Sequence, residues 1–208
     1  MMNTRSVAKA TARERLLSAA DELFYAEGVQ TVGIDRIIEH AGVAKASLYN
    51  TFGGKEQLIR AYLDSRHAGM TERLLQAINS VDDPRDRLLA VFESQRELFT
   101  EPDFHGCAFV AASAEAKHGS AIEEASDVSR AWLRALFTDL AREAGAPEPE
   151  TLARQLHLLY DGGSLCARMD RDAAAAAVAR GAASVLIDAA LPKRSRTATV
   201  QPARRRSD

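Results

Sequence analysis

Apolar residues recur at helical spacing along most of the chain, and this pattern predicts helices throughout. The sharpest stretch is residues 34–59. Ile34, Ile37 and Ile38 stand at i, i+3 and i+4, an apolar stripe on one helix face. Gly42 follows, a residue that takes positive φ at little cost, so the chain can turn sharply there. In the next short segment Val43 and Leu48 point inward, leaving Lys45, Ala46, Ser47, Tyr49 and Asn50 largely free. A short helix with basic, hydroxyl, aromatic and amide groups on one side suits the DNA major groove. The pattern therefore predicts a helix-turn-helix.

The rest of the chain reads in the same period. Residues 1–10 are expected to be flexible. Thr11 to Glu14 has the form of a capping box, opening a helix to about Ala26 with Leu16, Ala19, Ala20, Leu23 and Phe24 on its apolar face. Gly28 ends that helix, and Thr31 can cap the next. Lys45 to Phe52 is the candidate recognition helix. Gly53 and Gly54 stop it, and a long helix starts at Lys55 and reaches about Asn79. Further helices are expected over residues 85–100, 104–116, 121–144, 150–169 and 172–190, with a second capping box at Ser120 to Glu123. After Pro192 the chain is basic and poor in apolar residues, which predicts a disordered tail over 192–208.

Charge adds a direction to this order. The net charge is −2. Residues 1–66 carry 9 basic against 8 acidic side chains, residues 67–191 carry 12 against 20, and residues 192–208 carry 6 against 1. An acidic middle between neutral-to-basic ends fits a protein that offers DNA one end only. No run of eighteen apolar residues is present, so no membrane span is expected, and the N-terminus lacks the apolar core of a secretory signal. Cys107 and Cys166 lie far apart and suggest no disulfide framework, so a reducing cytoplasm is the simpler location.

The string from LFYAEG through Thr31-Val32 and IIEHAGV to ASLYNTFGGKEQLI resembles the N-terminal domain of the TetR-like (tetracycline repressor) family. The resemblance covers residues 11–62 closely. Tyr49 and Phe52 followed by Lys55, Glu56 and Leu58 make it specific. Two positions depart from the family pattern: Ala44 stands where a capping Ser is frequent, and Ala46 where Gly is frequent.

The resemblance implies an all-α protein, with a three-helix helix-turn-helix domain over 11–54 and a larger ligand-binding and dimerisation domain over 55–191. It implies a homodimeric transcriptional regulator, with repression at a palindromic operator and release by a small molecule as the expected action. An activator using the same DNA site and a ligand-binding adaptor that has lost DNA binding are the alternatives. Carried over residue by residue, the DNA contacts are Thr31, Lys45, Ser47, Tyr49, Asn50 and Lys55.

A dimer interface is expected from the last two helices, whose leucines and small residues exceed what one core needs: Leu152, Leu156, Leu159, Ala177, Gly181, Ser184 and Ile187, with Leu165, Val178 and Val185 beside them. The middle of the chain should hold the effector pocket. Phe92, Phe99, Phe104, Cys107, Trp132, Phe137 and Met169 are the candidate apolar lining, with His157, Tyr160 and Asp161 as polar partners. The spacing of His105, Cys107, Glu115 and His118 matches no closed zinc site, and no cofactor is expected. No nucleophile elbow, P-loop, dinucleotide fingerprint or zinc-protease motif occurs, so an enzyme is not expected.

Overall fold

The computed structural model describes residues 10–192, so the segments expected to be flexible, 1–10 and 192–208, lie outside the described residues except for their inner ends, Ala10 and Pro192. Among the described residues the structure is entirely helical: α1 (Ala12–Glu27), α2 (Ile34–Ala41), α3 (Lys45–Phe52), α4 (Lys55–Asn79), α5 (Pro84–Leu98), α6 (Ala108–Ala114), α7 (Ala121–Glu143), α8 (Pro149–Asp170) and α9 (Ala175–Ala190).

Local chemistry sets most of these ends. Thr11 caps α1 in a complete capping box: its hydroxyl accepts from the Glu14 N–H at 3.2 Å, and the Glu14 carboxylate accepts from the Thr11 N–H at 2.8 Å. Gly42 closes α2 in the left-handed region at φ 61°, ψ 43°, where a side chain would be strained. Asp83 caps α5 ahead of Pro84, which occupies a first-turn position that needs no N–H. Ser120 caps α7, but only half of the expected capping box forms. Its hydroxyl accepts from the Glu123 N–H, while the Glu123 carboxylate turns to the Gly119 N–H and His118 Nδ1.

Three expectations need correction. Thr31 does not cap α2; Gly33 holds that position without a side-chain hydrogen bond, and Thr31 lies in the preceding turn. The helix expected over 104–116 shrinks to α6, because Gly106 turns the chain at φ 92° and Cys107 becomes the cap. Helix α9 starts at Ala175 rather than 172, because the Asp172 carboxylate accepts from the Ala174 N–H at 2.8 Å and holds a turn there.

Two main apolar cores result. The first gathers Leu16, Ala20 and Phe24 of α1, Ile37 of α2, Leu48 of α3 and Leu58, Tyr62 and Leu63 of α4, and reaches Phe109 and Ala112 of α6. The second gathers Leu74 and Ile78 of α4, Leu88 and Phe92 of α5, Phe137 and Leu140 of α7, Leu152 and Leu156 of α8 and Ile187 of α9. Helix α4 thus contributes to both. Burying such residues stabilises by about 1.5–3 kcal/mol each.

Helix α3 begins at Ala44 with extended backbone (φ −72°, ψ 148°) and no side-chain cap. This is already the geometry of a capped N-terminus, so Ala44→Ser should stabilise the protein by about 1 kcal/mol, raising Tm by roughly 2–4 °C. Thr11→Ala should lower stability by a similar amount. Thermal melts of the two variants check both, and an unchanged Tm for Ala44→Ser would mean the amides of α3 already have partners.

Candidate nucleic-acid interface

The recognition helix is pinned from below. Leu48 is fully buried, and half-buried Val43 and Phe52 pack on the same core. Arg15 of α1 reaches across to donate to the Gly42 carbonyl at 3.0 Å, sealing the turn between α2 and α3. An ion pair between Arg36 and Glu27, and a hydrogen bond between His40 Nε2 and Glu22 at 2.8 Å, tie α2 to α1. With α3 fixed in this way, Lys45, Tyr49 and Asn50 face outward, Ser47 is half-buried, and Thr31 is exposed in the neighbouring turn. Tyr49 is 46% exposed, so its ring and hydroxyl are open to a partner.

The two lysines are not idle in the free protein. Lys45 Nζ lies 2.8 Å from Asp35 Oδ1, and that hydrogen bond and charge hold the Lys45 pKa above its ordinary value. Lys55 Nζ donates to the Gln30 carbonyl at 3.1 Å, and partial burial draws its pKa downward against the pull of Glu115. Helices α2, α3 and α4 all begin without a side-chain cap, at Gly33, Ala44 and Gly54. Their first-turn amides are donors of the kind that hold phosphate oxygens. Arg15 and Asp35 were not legible as parts of this site. Their partners lie 27 and 10 residues away, and no local spacing signals either contact.

The pocket candidates divide. Phe104, Cys107 and Tyr160 come together in a cleft of about 300 Å³ between α1, α4, α8 and the chain entering α6. His157 and Asp161 line a narrow annex of about 40 Å³ that shares Cys107 and Tyr160 with it. Burial pushes the Cys107 thiol pKa up and the His157 pKa down, Asp161 opposing the latter. Asp161 is held by Arg130 at 2.7 Å.

The other candidates are corrected by packing. Phe92 and Phe137 are fully buried against each other in the second core. Phe99 stacks on Phe104, with ring centroids 4.8 Å apart, in a small cluster of its own. Trp132 packs edge-on against His67 beside a separate surface groove, and Met169 is 72% exposed. The residues considered for a metal are also dispersed: Glu115 bonds the Gln30 N–H and His118 bonds Glu123.

The interface candidates divide by burial. Leu152, Leu156 and Ile187 are buried in the second core, so they cannot line an outer surface. Leu159 is half-buried on that core, and Ser184 accepts from Arg85 at 3.0 Å. Ala177 and Gly181 do face outward. The large exposed apolar side chains on these helices are Leu158, Leu165 and Met169 of α8 and Val178 and Val185 of α9. Monomer packing took the most leucine-rich stripe and left the adjacent one in the open.

Known proteins match this arrangement. Residues 16–62 match the family described as bacterial regulatory proteins, tetR family. The solved structure of SCO4454, a TetR-family transcriptional regulator from Streptomyces coelicolor, superposes with a TM-score of 0.83 at 32% identity, covering 86% of this chain and 95% of that one. The transcriptional repressor NemR of Escherichia coli is 29% identical over 170 residues, 76% of this chain and 85% of NemR. The transcriptional activator FasR of Mycolicibacterium smegmatis is 29% identical over 133 residues, and the match spans 64% of this chain and 60% of FasR. A helix-turn-helix with its outward face free, continuous with a helical body of matching fold at this identity, places the chain in the TetR family of DNA-binding transcriptional regulators.

Proposed function

We propose that the protein is a ligand-responsive repressor in the cytoplasm, binding a palindromic operator as a homodimer and leaving it when a small molecule enters the body. In this reading residues 11–54 form the DNA-binding domain and 55–191 the ligand-binding and dimerisation domain. Lys45, Tyr49, Asn50 and Ser47 meet the major groove and its phosphates, and Lys55 and Thr31 meet the backbone beside it.

The observation that carries the ligand-responsive part is the placement of α6. Cys107, Ala108 and Phe109 at its start line the cleft. At its end the Glu115 carboxylate accepts from the Gln30 N–H at 2.7 Å, in the turn between α1 and α2 whose carbonyl holds Lys55. A ligand that displaces the start of α6 therefore pulls on the support of the DNA-binding helices. Such a ligand must bind the DNA-free arrangement better than the DNA-bound one, and the coupling is reciprocal. FasR, described as an activator, supports a second reading in which the same binding recruits transcription. A reporter driven by the operator separates the two by the sign of its response to gene deletion.

For the dimer, the exposed Leu158, Leu165, Met169, Val178 and Val185 supply apolar side chains on the packed pair α8 and α9. Val178→Asp with Val185→Asp should yield a monomer by light scattering, with helicity retained, since both side chains are exposed.

DNA from the region upstream of the protein's own gene is the first test of the DNA site. Binding should weaken steeply with salt. Lys55→Ala should reduce the log–log salt slope by about 1 per head, and Tyr49→Ala should weaken binding roughly tenfold without changing the oligomeric state. If either variant binds as the parent does, the residue assignment is wrong.

Asp35→Asn releases Lys45 from its ion pair, so it should tighten binding modestly, more at low salt than at high salt. Weaker binding would mean Asp35 positions Lys45 instead of competing for it.

A further inference from the structure

The polar side of the cleft carries an unbalanced charge. Asp21 and Arg66 form a pair at 2.7 Å, with the Arg66 guanidinium 3.7 Å above the Tyr25 ring, and so compensate each other. Arg73 also lines the cleft, seven residues along the same face of α4. It is half-buried and, among the described residues, has no carboxylate within ion-pair distance. Its Nε is buried without a hydrogen-bond partner.

The neighbours of Arg73 toward the cleft are neutral. Burial pushes the Tyr160 hydroxyl up to about 12, against the charge of Arg73 and its hydrogen bond to the Tyr160 oxygen, so the partner Arg73 meets here is a neutral phenol and not a counter-charge. Ser164 adds a second hydroxyl to the same wall. On its other side Arg73 borders an outer groove with Asp86, Glu93 and Glu97, of which Glu93 is occupied by Arg96 and Arg180. Met70, between the two arginines on the same face of α4, and Leu98, Phe104 and Phe109 complete the lining with apolar surface suited to a ring or short chain.

From this arrangement we infer that the cleft takes a compact organic anion, its carboxylate on Arg73 and its apolar body against Met70, Phe104 and Phe109. This rests on the effector reading above and adds the chemical class of the effector. A cation would meet two guanidiniums and only one carboxylate. A neutral molecule would leave the cleft side of Arg73 without a charged partner. A planar carboxylate satisfies it by paired hydrogen bonds. The acidity of the middle of the chain acts from the surface and is screened beyond about 8 Å at physiological salt. The cleft's size, about 300 Å³, fits one ring and a short chain.

Calorimetry on the full-length protein tests this with three probes of one skeleton: 4-phenylbutyrate, 4-phenylbutyramide and 4-phenylbutylamine. The carboxylate should bind about tenfold or more tightly than the amide, and the amine most weakly. Arg73→Gln should remove that preference while leaving amide binding within about twofold, and Arg73→Lys should restore part of it. A melting curve for each variant confirms that it folds. If the amide or amine binds as well as the carboxylate, or Arg73→Gln keeps the preference, the anion inference falls and the effector cleft stands. If none of the three binds at millimolar concentration, both fall.

Discussion

One continuous helix buried at its two ends in different cores is the constraint on which the rest of this structure depends. The first turns of α4 place Leu58, Ile59, Tyr62 and Leu63 among the helices that carry the recognition face, while Leu74 and Ile78 sit among α5, α7, α8 and α9. A helix of 25 residues is about 38 Å long and resists bending without a proline or an inserted side chain. Neither end can move without disturbing a packed interior, and interiors change by discrete repacking rather than smooth deformation. Helix α6 runs beside this rod as a second connection, from the cleft to the support of α2. Head and body are thus joined by burial, of α4 in both cores and of α6 in the first, and by polar contacts, the Glu115 carboxylate on Gln30 and the Tyr25 hydroxyl between Gly106 and His105.

The free protein keeps three basic groups near its DNA-facing helices occupied. Lys45 sits on Asp35, Lys55 on the Gln30 carbonyl, and Arg36 on Glu27. These are exposed or half-exposed contacts, so little stability rides on them and each is easily exchanged for a phosphate. Their effect falls on selectivity: a lysine with an internal partner gains less from nonspecific DNA than a solvated one does.

The elements were legible where short-range chemistry decides them. Gly42 in the left-handed region, Gly53 behind Phe52 and the reciprocal hydrogen bonds of Thr11 and Glu14 all act within a few residues, and periodicity exposed them. The start of α6 was harder, because Phe104 and Cys107 extend its apolar pattern backwards and only the turn at Gly106 interrupts it. Least legible was the choice between faces. Leu152, Leu156 and Leu158 differ little as letters, yet the first two are buried in the core and the third is 75% exposed. Which stripe of α8 goes inward depends on α5, α7 and α9 together. The cleft was half visible for the same reason: Phe104, Cys107 and Tyr160 were named as pocket candidates, while Tyr25, Arg66 and Arg73 join them from α1 and the long helix α4, where no pocket was expected.

The apolar stripe on α8 and α9 changes how the protein should respond to variation. If two copies meet through Leu158, Leu165, Val178 and Val185, every residue of the head acts twice on one operator. A substitution costing each head about 1 kcal/mol then costs the pair about 2, close to thirtyfold in affinity. Small inherited differences in α3 would be read by the genome as squared, so the heads could evolve new operators in few steps while the body stayed as it is.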